Sequence, residues 1–253
     1  MRYPPGAFCW VGLAASDPDV AKTFYQGLFG WRPEERVAAG IGEFTTMRLG
    51  SKAVALVYRQ TAEARAARVP PHWTSFVSVK VADRAEARAA ELGGTVVRDS
   101  FEVGELGRVA TVRDPTGAIV SLWEPRREAG ADLRDVVGGL AWNELSTPDP
   151  ERAAAFYGEL LGWRCVGRER FYAVQHAGAV IAIIRTQHAD ERGQPPNWLP
   201  CFAVDDLEAA ERRAIALGGR ALGVAAAAPG TFGGRTVRLA DPLGADFAAW
   251  EPH

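Results

Sequence analysis

The sequence predicts an α+β chain of two tandem modules, each a pair of β-α-β-β-β units, four units in all. Three observations carry this. Residues 10–31, WVGLAASDPDVAKTFYQGLFGW, return as residues 142–163, WNELSTPDPERAAAFYGELLGW, with ten of 22 positions identical and no gap. Three further segments return in the same order: PPHW at 70–73 as PPNW at 195–198, Leu92-Gly93-Gly94 as Leu217-Gly218-Gly219, and DPTGAIVSLWEP at 114–125 as DPLGADFAAWEP at 241–252. Between these markers, strand-like alternation surrounds single stretches of helical spacing.

Each element follows from local chemistry. Val11, Leu13 and Ala15 alternate with Trp10, Gly12 and Ala14, which predicts a half-buried strand over 8–15. Asp17 and Pro18 supply an N-cap and a first helical residue for a helix over 18–29. Ala21, Phe24, Tyr25 and Leu28 give it one apolar face, and Gly30 closes it. Strands follow near 32–37, 43–49 and 52–59, then a polar connector over 60–71 that ends in two prolines. The second unit has an alternating strand from Trp73, a helix over 83–92, and strands near 95–101, 107–113 and 118–124, the last two joined by an Asp114-Pro115-Thr116-Gly117 turn. Expected boundaries are 5–125 for the first module, 126–137 for a charged linker and 138–253 for the second module. A sheet with one amphipathic helix cannot bury both layers alone, so the units must pair. The eight tryptophans form four repeat pairs, 10/142, 31/163, 73/198 and 123/250; Trp31 and Trp163 read as core.

Composition excludes several function classes. The net charge is −2, from 29 basic and 31 acidic residues with no basic block, so nucleic-acid binding is not expected. No apolar run approaches the ~20 residues of a bilayer span, so no membrane partner is expected. The opening MRYPPGAF lacks the apolar stretch of a signal peptide. Cys9, Cys165 and Cys201, odd in number and far apart, read as free thiols in the cytoplasm.

The ordered motifs (DP-capped helix, FYxxLxGW, LGG-closed helix, terminal DPxGA strand) resemble the vicinal oxygen chelate superfamily of glyoxalases, bleomycin-resistance proteins and extradiol dioxygenases. The resemblance is nearest to its tandem-module actinobacterial glyoxalase-like branch. It implies that each module curls its sheet into an open cup. It also implies metal ligands: His or Gln in the first strand, His in the fifth, Glu in the fourth or eighth. Here those slots hold Trp10 and Trp142, Thr74 and Leu199, Ala55 and Ala182, and Ser121 and Ala248. None offers the imidazole, carboxylate or thiolate that divalent metals require, so no metal and no cofactor is expected.

Strand parity extends each cup face by two-residue steps. The first cup gathers Trp10, Gly12, Ala14, Thr74, Phe76, Ser78, Ile119, Ser121 and Trp123; the second gathers Trp142, Glu144, Ser146, Leu199, Cys201, Ala203, Asp246, Ala248 and Trp250. The second set adds two carboxylates, which favours it as the pocket. Glu144 stands out. Desolvated by Trp142, it would carry a raised pKa and serve as an acid or base; the alternative is pairing with an arginine such as Arg185. Cys201 has no evident base beside it. Of the four histidines, His176 could reach the second pocket, while His72, His188 and His253 read as turn, loop and terminal residues.

The function expected is metal-independent binding of an aromatic or apolar small molecule, for sequestration, resistance or secondary metabolism. The alternative is a metal-free isomerase, lyase or hydratase using Glu144; a metal-dependent glyoxalase or dioxygenase is disfavoured. The tandem copy suits a monomeric pseudo-dimer or a homodimer.

Overall fold

The computed structural model describes residues 3–225 and 233–252. The first module contains β1 (Phe8–Ala15), α1 (Pro18–Phe29), β2 (Arg32–Ala38), β3 (Gly42–Leu49), β4 (Lys52–Arg59), α2 (Ala62–Ala66), β5 (His72–Ser78), α3 (Ala82–Glu91), β6 (Thr95–Val103), β7 (Gly107–Arg113) and β8 (Ile119–Pro125). The second contains β9 (Leu140–Thr147), α4 (Pro150–Leu161), β10 (Arg164–Arg168), β11 (Phe171–His176), β12 (Ala179–Thr186), β13 (Asn197–Ala203), α5 (Leu207–Ala216), β14 (Arg220–Ala225), β15 (Arg235–Ala240) and β16 (Asp246–Glu251). Each module is one eight-stranded sheet, ordered β2-β3-β4-β1-β5-β8-β7-β6 and β10-β11-β12-β9-β13-β16-β15-β14. The antiparallel pairs β1–β5 and β9–β13 sit at the centres. Parallel pairs β1–β4, β5–β8, β12–β9 and β13–β16 flank them.

The capping signals operate as read. The Asp17 carboxylate accepts from the Asp19 N–H, and Gly30 ends α1 in the left-handed conformation at φ 71°. Asp149 and Gly162 do the same for α4. One difference lies in the 60–71 connector. It holds the short helix α2, because Thr61 caps an Ala/Glu/Arg run of good helix formers. The 126–137 linker is stitched down rather than free. The Ala131 N–H donates to the Cys9 carbonyl at 2.8 Å, the Asp132 carboxylate accepts from the Ala53 N–H at 2.9 Å, and Arg134 donates to the Phe8 carbonyl at 2.9 Å.

The repeated motifs explain how the units pair. Each of the two large cores draws on both modules in nearly equal parts. In the first, the α1 face (Phe24, Tyr25, Leu28) packs on Phe202, Leu207, Ala214 and Phe247 of the second module. In the second, Phe156 and Tyr157 of α4 pack with Val77, Ala89, Val112 and Leu122 of the first. The FY, LGG, PPxW and DPxGA motifs meet at this junction. A side chain at Gly219 would lie 3.0 Å from the Phe24 ring, and one at Gly94 would lie 3.1 Å from the Phe156 ring. Backbone carbonyls lie closer still, at 2.7 and 2.9 Å from the Gly219 position and 2.9 Å from the Gly94 position, so glycine is required where the helix end, the following strand and the partner's phenyl ring converge. The Trp73 indole N–H donates to the Tyr25 hydroxyl at 3.0 Å, and that hydroxyl donates to Asp241 of the other module at 3.3 Å. Trp198 and Tyr157 repeat the first contact at 2.8 Å, with Asp114 beside the Tyr157 hydroxyl. Trp31 and Trp163 are buried and donate to the Gly138 and Gly6 carbonyls. With both helix-bearing faces consumed this way, the concave faces of the sheets are left for other work. Among the described residues no helix is long and apolar enough to cross a membrane.

Candidate ligand-binding site

The two cups share a scaffold and differ in contents. In the first, Trp10, Phe44, Val109 and Trp123 are buried with Leu56, Tyr58, Phe76 and Phe101 packed against them. They surround a cavity of about 300 Å³, also lined by Thr111, Ser121, Arg36, Arg59, Arg98, Glu43 and Glu128. The volume is at the lower end of that typical for small-molecule sites, and the wall is mainly aromatic and aliphatic. Few polar groups face it. The Thr111 and Ser121 hydroxyls bond each other at 3.1 Å, and the Trp123 indole donates to the Glu128 carbonyl at 2.9 Å. Burial pushes the Tyr58 phenol up, opposed by its hydrogen bond with Thr74 and by the charge of Arg98. At the rim Arg36 pairs with Glu128 at 2.9 Å and Arg98 stacks 3.6 Å from the Phe101 ring centre. Gly40, at the tip of the β2–β3 hairpin, lies against the Glu102 carbonyl of β6, so hairpins from the two ends of the sheet meet over the cup.

In the second cup a network of paired charges takes the place of the aromatic wall. Glu144 is 1% exposed and accepts from Arg185 Nε at 2.6 Å. The Arg185 fork then grips Glu191, 5% exposed, through both Nη atoms at 2.6 and 2.9 Å. Glu191 also accepts from the Ser146 hydroxyl, the His188 N–H and Arg238, and Arg238 reaches Asp246 at 3.4 Å. Burial raises the Glu144 pKa against the pull of Arg185. Glu191 is also desolvated, yet hydrogen bonds from Arg185 and the His188 N–H hold it down to about 2. Burial raises Asp246 against Arg238.

Strand register identifies the sequence differences responsible. Glu144 stands where the first module has Gly12, since both pair with the equivalent residues Leu199 and Thr74. Arg185 stands where Tyr58 does, and Arg238 where Thr111 does. Glu191 occupies the place of Ala64, counted from Gln187 and Gln60, whose N–H groups bond equivalent carbonyls. A Cβ at Gly12 would lie 3.0 Å from Tyr58 and 3.1 Å from Phe76, so the aromatic wall needs glycine there.

Of the residues singled out in the sequence, Trp10, Phe76, Ser121 and Trp123 line the first cavity, and Thr74 is buried beside Tyr58. Trp142, Leu199, Cys201, Ala248 and Trp250 pack together in the second cup, roofed by the Glu144, Ser146 and Asp246 network. The two carboxylates that favoured the second cup in the sequence, Glu144 and Asp246, are engaged by Arg185 and Arg238, and the cavity of about 300 Å³ lies in the first cup. The fourth-strand slots shift by one. Ala55 and Ala182 belong to the cross-module cores, whereas Leu56 and Ile183 face the cups, because β4 pairs Leu56 with Gly12 and β12 pairs Ile183 with Glu144. His176 packs against Gly6, away from the second cup, and His253 lies outside the described residues. Burial pushes the Cys9 and Cys201 thiols far up and Cys165 up to about 11, so none is poised as a nucleophile. Sequence reasoning missed Phe44, Leu56, Tyr58, Arg98, Phe101 and Val109. Parity along β3, β4 and β7 would have found some of them. Register breaks on both sides of Arg98 in β6 hide that residue from any such count.

Residues 8–122 match the Glyoxalase/Bleomycin resistance protein/Dioxygenase superfamily, and residues 142–249 match a glyoxalase-like domain. CFP32 of Mycobacterium tuberculosis (strain CDC 1551 / Oshkosh), which carries a provisional glyoxylase name, is 34% identical over 256 residues, covering 99% of this chain and 97% of its own. The chain belongs to this superfamily. DnrV of Streptomyces peucetius, named as an anthracycline biosynthesis protein, is 33% identical across 99% of this chain and 94% of its own. Among solved structures, the Mn(II)-bound glyoxalase from Novosphingobium aromaticivorans superposes with a TM-score of 0.68 at 15% identity, covering 98% of this chain and 82% of that one. A 4-hydroxymandelate synthase mutant from Streptomyces coelicolor gives 0.65 at 15% identity, covering 99% and 94%. These structures share the superfamily's fold with the present chain.

A metal of the kind the superfamily implies does not fit the residues in place. The cup floors present Trp10, Leu56, Thr74 and Ser121 in one module and Trp142, Ile183, Leu199 and Ala248 in the other. Among the described residues no group of three or more His, Cys, Asp or Glu could hold an ion. The carboxylates of the second cup are already engaged by Arg185 and Arg238.

Proposed function

We propose that this superfamily member binds an aromatic or apolar small molecule in its first cup without a protein-bound metal ion. The cavity of about 300 Å³ carries this reading. It is walled by Trp10, Phe44, Tyr58, Phe76, Phe101 and Trp123, with the Thr111 and Ser121 hydroxyls inside and charged side chains also in its lining, in the place where metal-using relatives would need ligands. The relatives named for anthracycline biosynthesis support a secondary-metabolite ligand, held in sequestration or presented along a biosynthetic route. Glu144 serves in this reading as one corner of a buried ionic plug rather than as a proton carrier, since its carboxylate faces Arg185.

Titration of tryptophan fluorescence with polycyclic aromatic compounds tests it, because Trp10 and Trp123 line the cavity. Saturable quenching that survives EDTA is expected. Leu56→Trp places an indole in the cavity and should abolish the response while the thermal melt stays cooperative. Stoichiometric manganese, iron, zinc or nickel in purified protein, or binding unchanged in Leu56→Trp, would overturn the proposal.

A further inference from the structure

The charges around the first cavity are asymmetric in a way that specifies the ligand further. Three guanidiniums and two carboxylates line it. Arg36 and Glu128 satisfy each other. Arg59 donates to the Ser16 carbonyl at 3.1 Å and acts on the Asp19 carboxylate through its charge. Arg98 has no carboxylate partner among the described residues. Its guanidinium lies flat on Phe101, 3.6 Å from the ring centre, near enough to Tyr58 for its charge to act on the phenol. Glu43 is the remaining carboxylate, exposed on β3. The second cup is the reverse, with Arg185 and Arg238 both engaged by buried acids.

The placement of Arg98 is built into the backbone. β6 pairs Val96 with Val112, then Arg98 with Thr111, then Phe101 with Val109, so the ladder slips on both sides of Arg98. Bulges of this kind re-aim a side chain, and they set Arg98 opposite Thr111, a wall residue of the cavity. A guanidinium stacked on an aromatic ring loses little further freedom when it binds, and its free edge presents the planar fork that matches a carboxylate.

We propose that the ligand of the first cup is an aromatic carboxylate, its ring system held among Trp10, Phe76 and Trp123 and its carboxylate on the Arg98 guanidinium at the rim. This rests on the reading of the cup as a small-molecule site and adds a charge requirement to it. Arg59 adds positive field without direct contact.

Matched probes separate the two ideas. 2-Naphthoate and methyl 2-naphthoate have the same ring and differ in charge, as do anthracene-2-carboxylate and its methyl ester. Arg98 is exposed at the rim, and an exposed ion pair contributes about 0.2–1 kcal/mol, which corresponds to roughly 1.5- to 5-fold in affinity. Each acid should therefore bind that much more tightly than its ester, with a preference that shrinks as salt rises. In Arg98→Gln the acid-to-ester ratio should fall close to one, and Arg98→Lys should restore part of it. Esters binding as tightly as acids, or a ratio unchanged in Arg98→Gln, would overturn the charge requirement and leave the apolar site standing. If neither member of either pair binds, both the carboxylate proposal and the small-molecule reading fall.

Discussion

Removing the Arg185 guanidinium is the sharpest perturbation available, because so much converges on it. It donates to Glu144 once and to Glu191 twice, and also reaches the Ser146 hydroxyl and the Thr186 carbonyl. The side chains of Arg185, Glu144 and Glu191 are 8%, 2% and 7% exposed. Arg185→Met keeps the stem and deletes the charge, leaving two buried carboxylates that face each other. Breaking a buried ion pair from one side costs about 3–5 kcal/mol. In a chain of this size each kcal/mol moves the melting temperature by about 2–4 °C. Arg185→Met should therefore melt roughly 6–20 °C below wild type at neutral pH. Glu144→Gln should behave differently. The amide is neutral, so it carries no charge to desolvate, and its oxygen can still accept from Arg185. The double variant should recover about 1–3 kcal/mol relative to the sum of the singles.

The pH dependence gives a second readout of the same network. Glu191 is held down to about 2 from an ordinary 4.5, so its stabilisation is present above pH 4.5 and is lost as pH falls toward 2. Glu144 has the opposite sign. Its folded-state pKa is raised, so its contribution is most favourable below about 4.5 and is lost as pH rises through the folded value. Glu144→Gln should thus match wild type near pH 4 and equal or exceed it at pH 8. Circular-dichroism melts across pH 4–8 measure all of this. A melt for Arg185→Met within a degree or two of wild type would show that the second cup is not sealed by these charges. A Glu144→Gln variant as damaged as Arg185→Met would show that the Glu144 charge itself, not only an acceptor for Arg185, is required.

Three further outcomes follow from the cross-module cores and the buried thiols. Tyr25→Phe and Tyr157→Phe each leave a buried indole N–H without its partner hydroxyl, and Tyr25→Phe also removes the donor to Asp241, so chemical denaturation should show a loss of about 1–3 kcal/mol for each; a loss near zero in either would refute the part given to these hydroxyls. Residues 137–253 expressed alone should bind a hydrophobic dye and lack a cooperative melt, because the α4 and α5 faces lose their partners, and co-expression with residues 1–136 should restore a cooperative complex; a folded, dye-negative fragment would contradict this. Native protein at pH 8 should react with a thiol reagent slowly and at Cys165 alone, with Cys9 and Cys201 released only on unfolding; rapid native modification of either would refute their burial.

What the sequence disclosed depended on how local the cause was. Capped helices and alternating strands are written in neighbouring residues, so their bounds could be read to within a few positions; α2 was missed because a five-residue helix leaves no periodicity to detect. The repeat gave the architecture, and pairing of units could be argued from unburied faces. That Phe24 meets Gly219 and Phe156 meets Gly94 across modules needs three dimensions. The cup faces followed from parity until a bulge intervened, as at Arg98. The pairing of the second cup's carboxylates was hidden from the sequence for a specific physical reason. A carboxylate on a concave face reads as a placed polar group when its neighbours along the chain are apolar. Its real neighbours, Arg185 and Glu191, lie 41 and 47 residues away and reach it from an adjacent strand and a loop turn. The difference between Gly12 and Glu144 is therefore a difference in what each cup face gathers: aromatic rings around the glycine in one module, and a guanidinium from the adjacent strand around the carboxylate in the other.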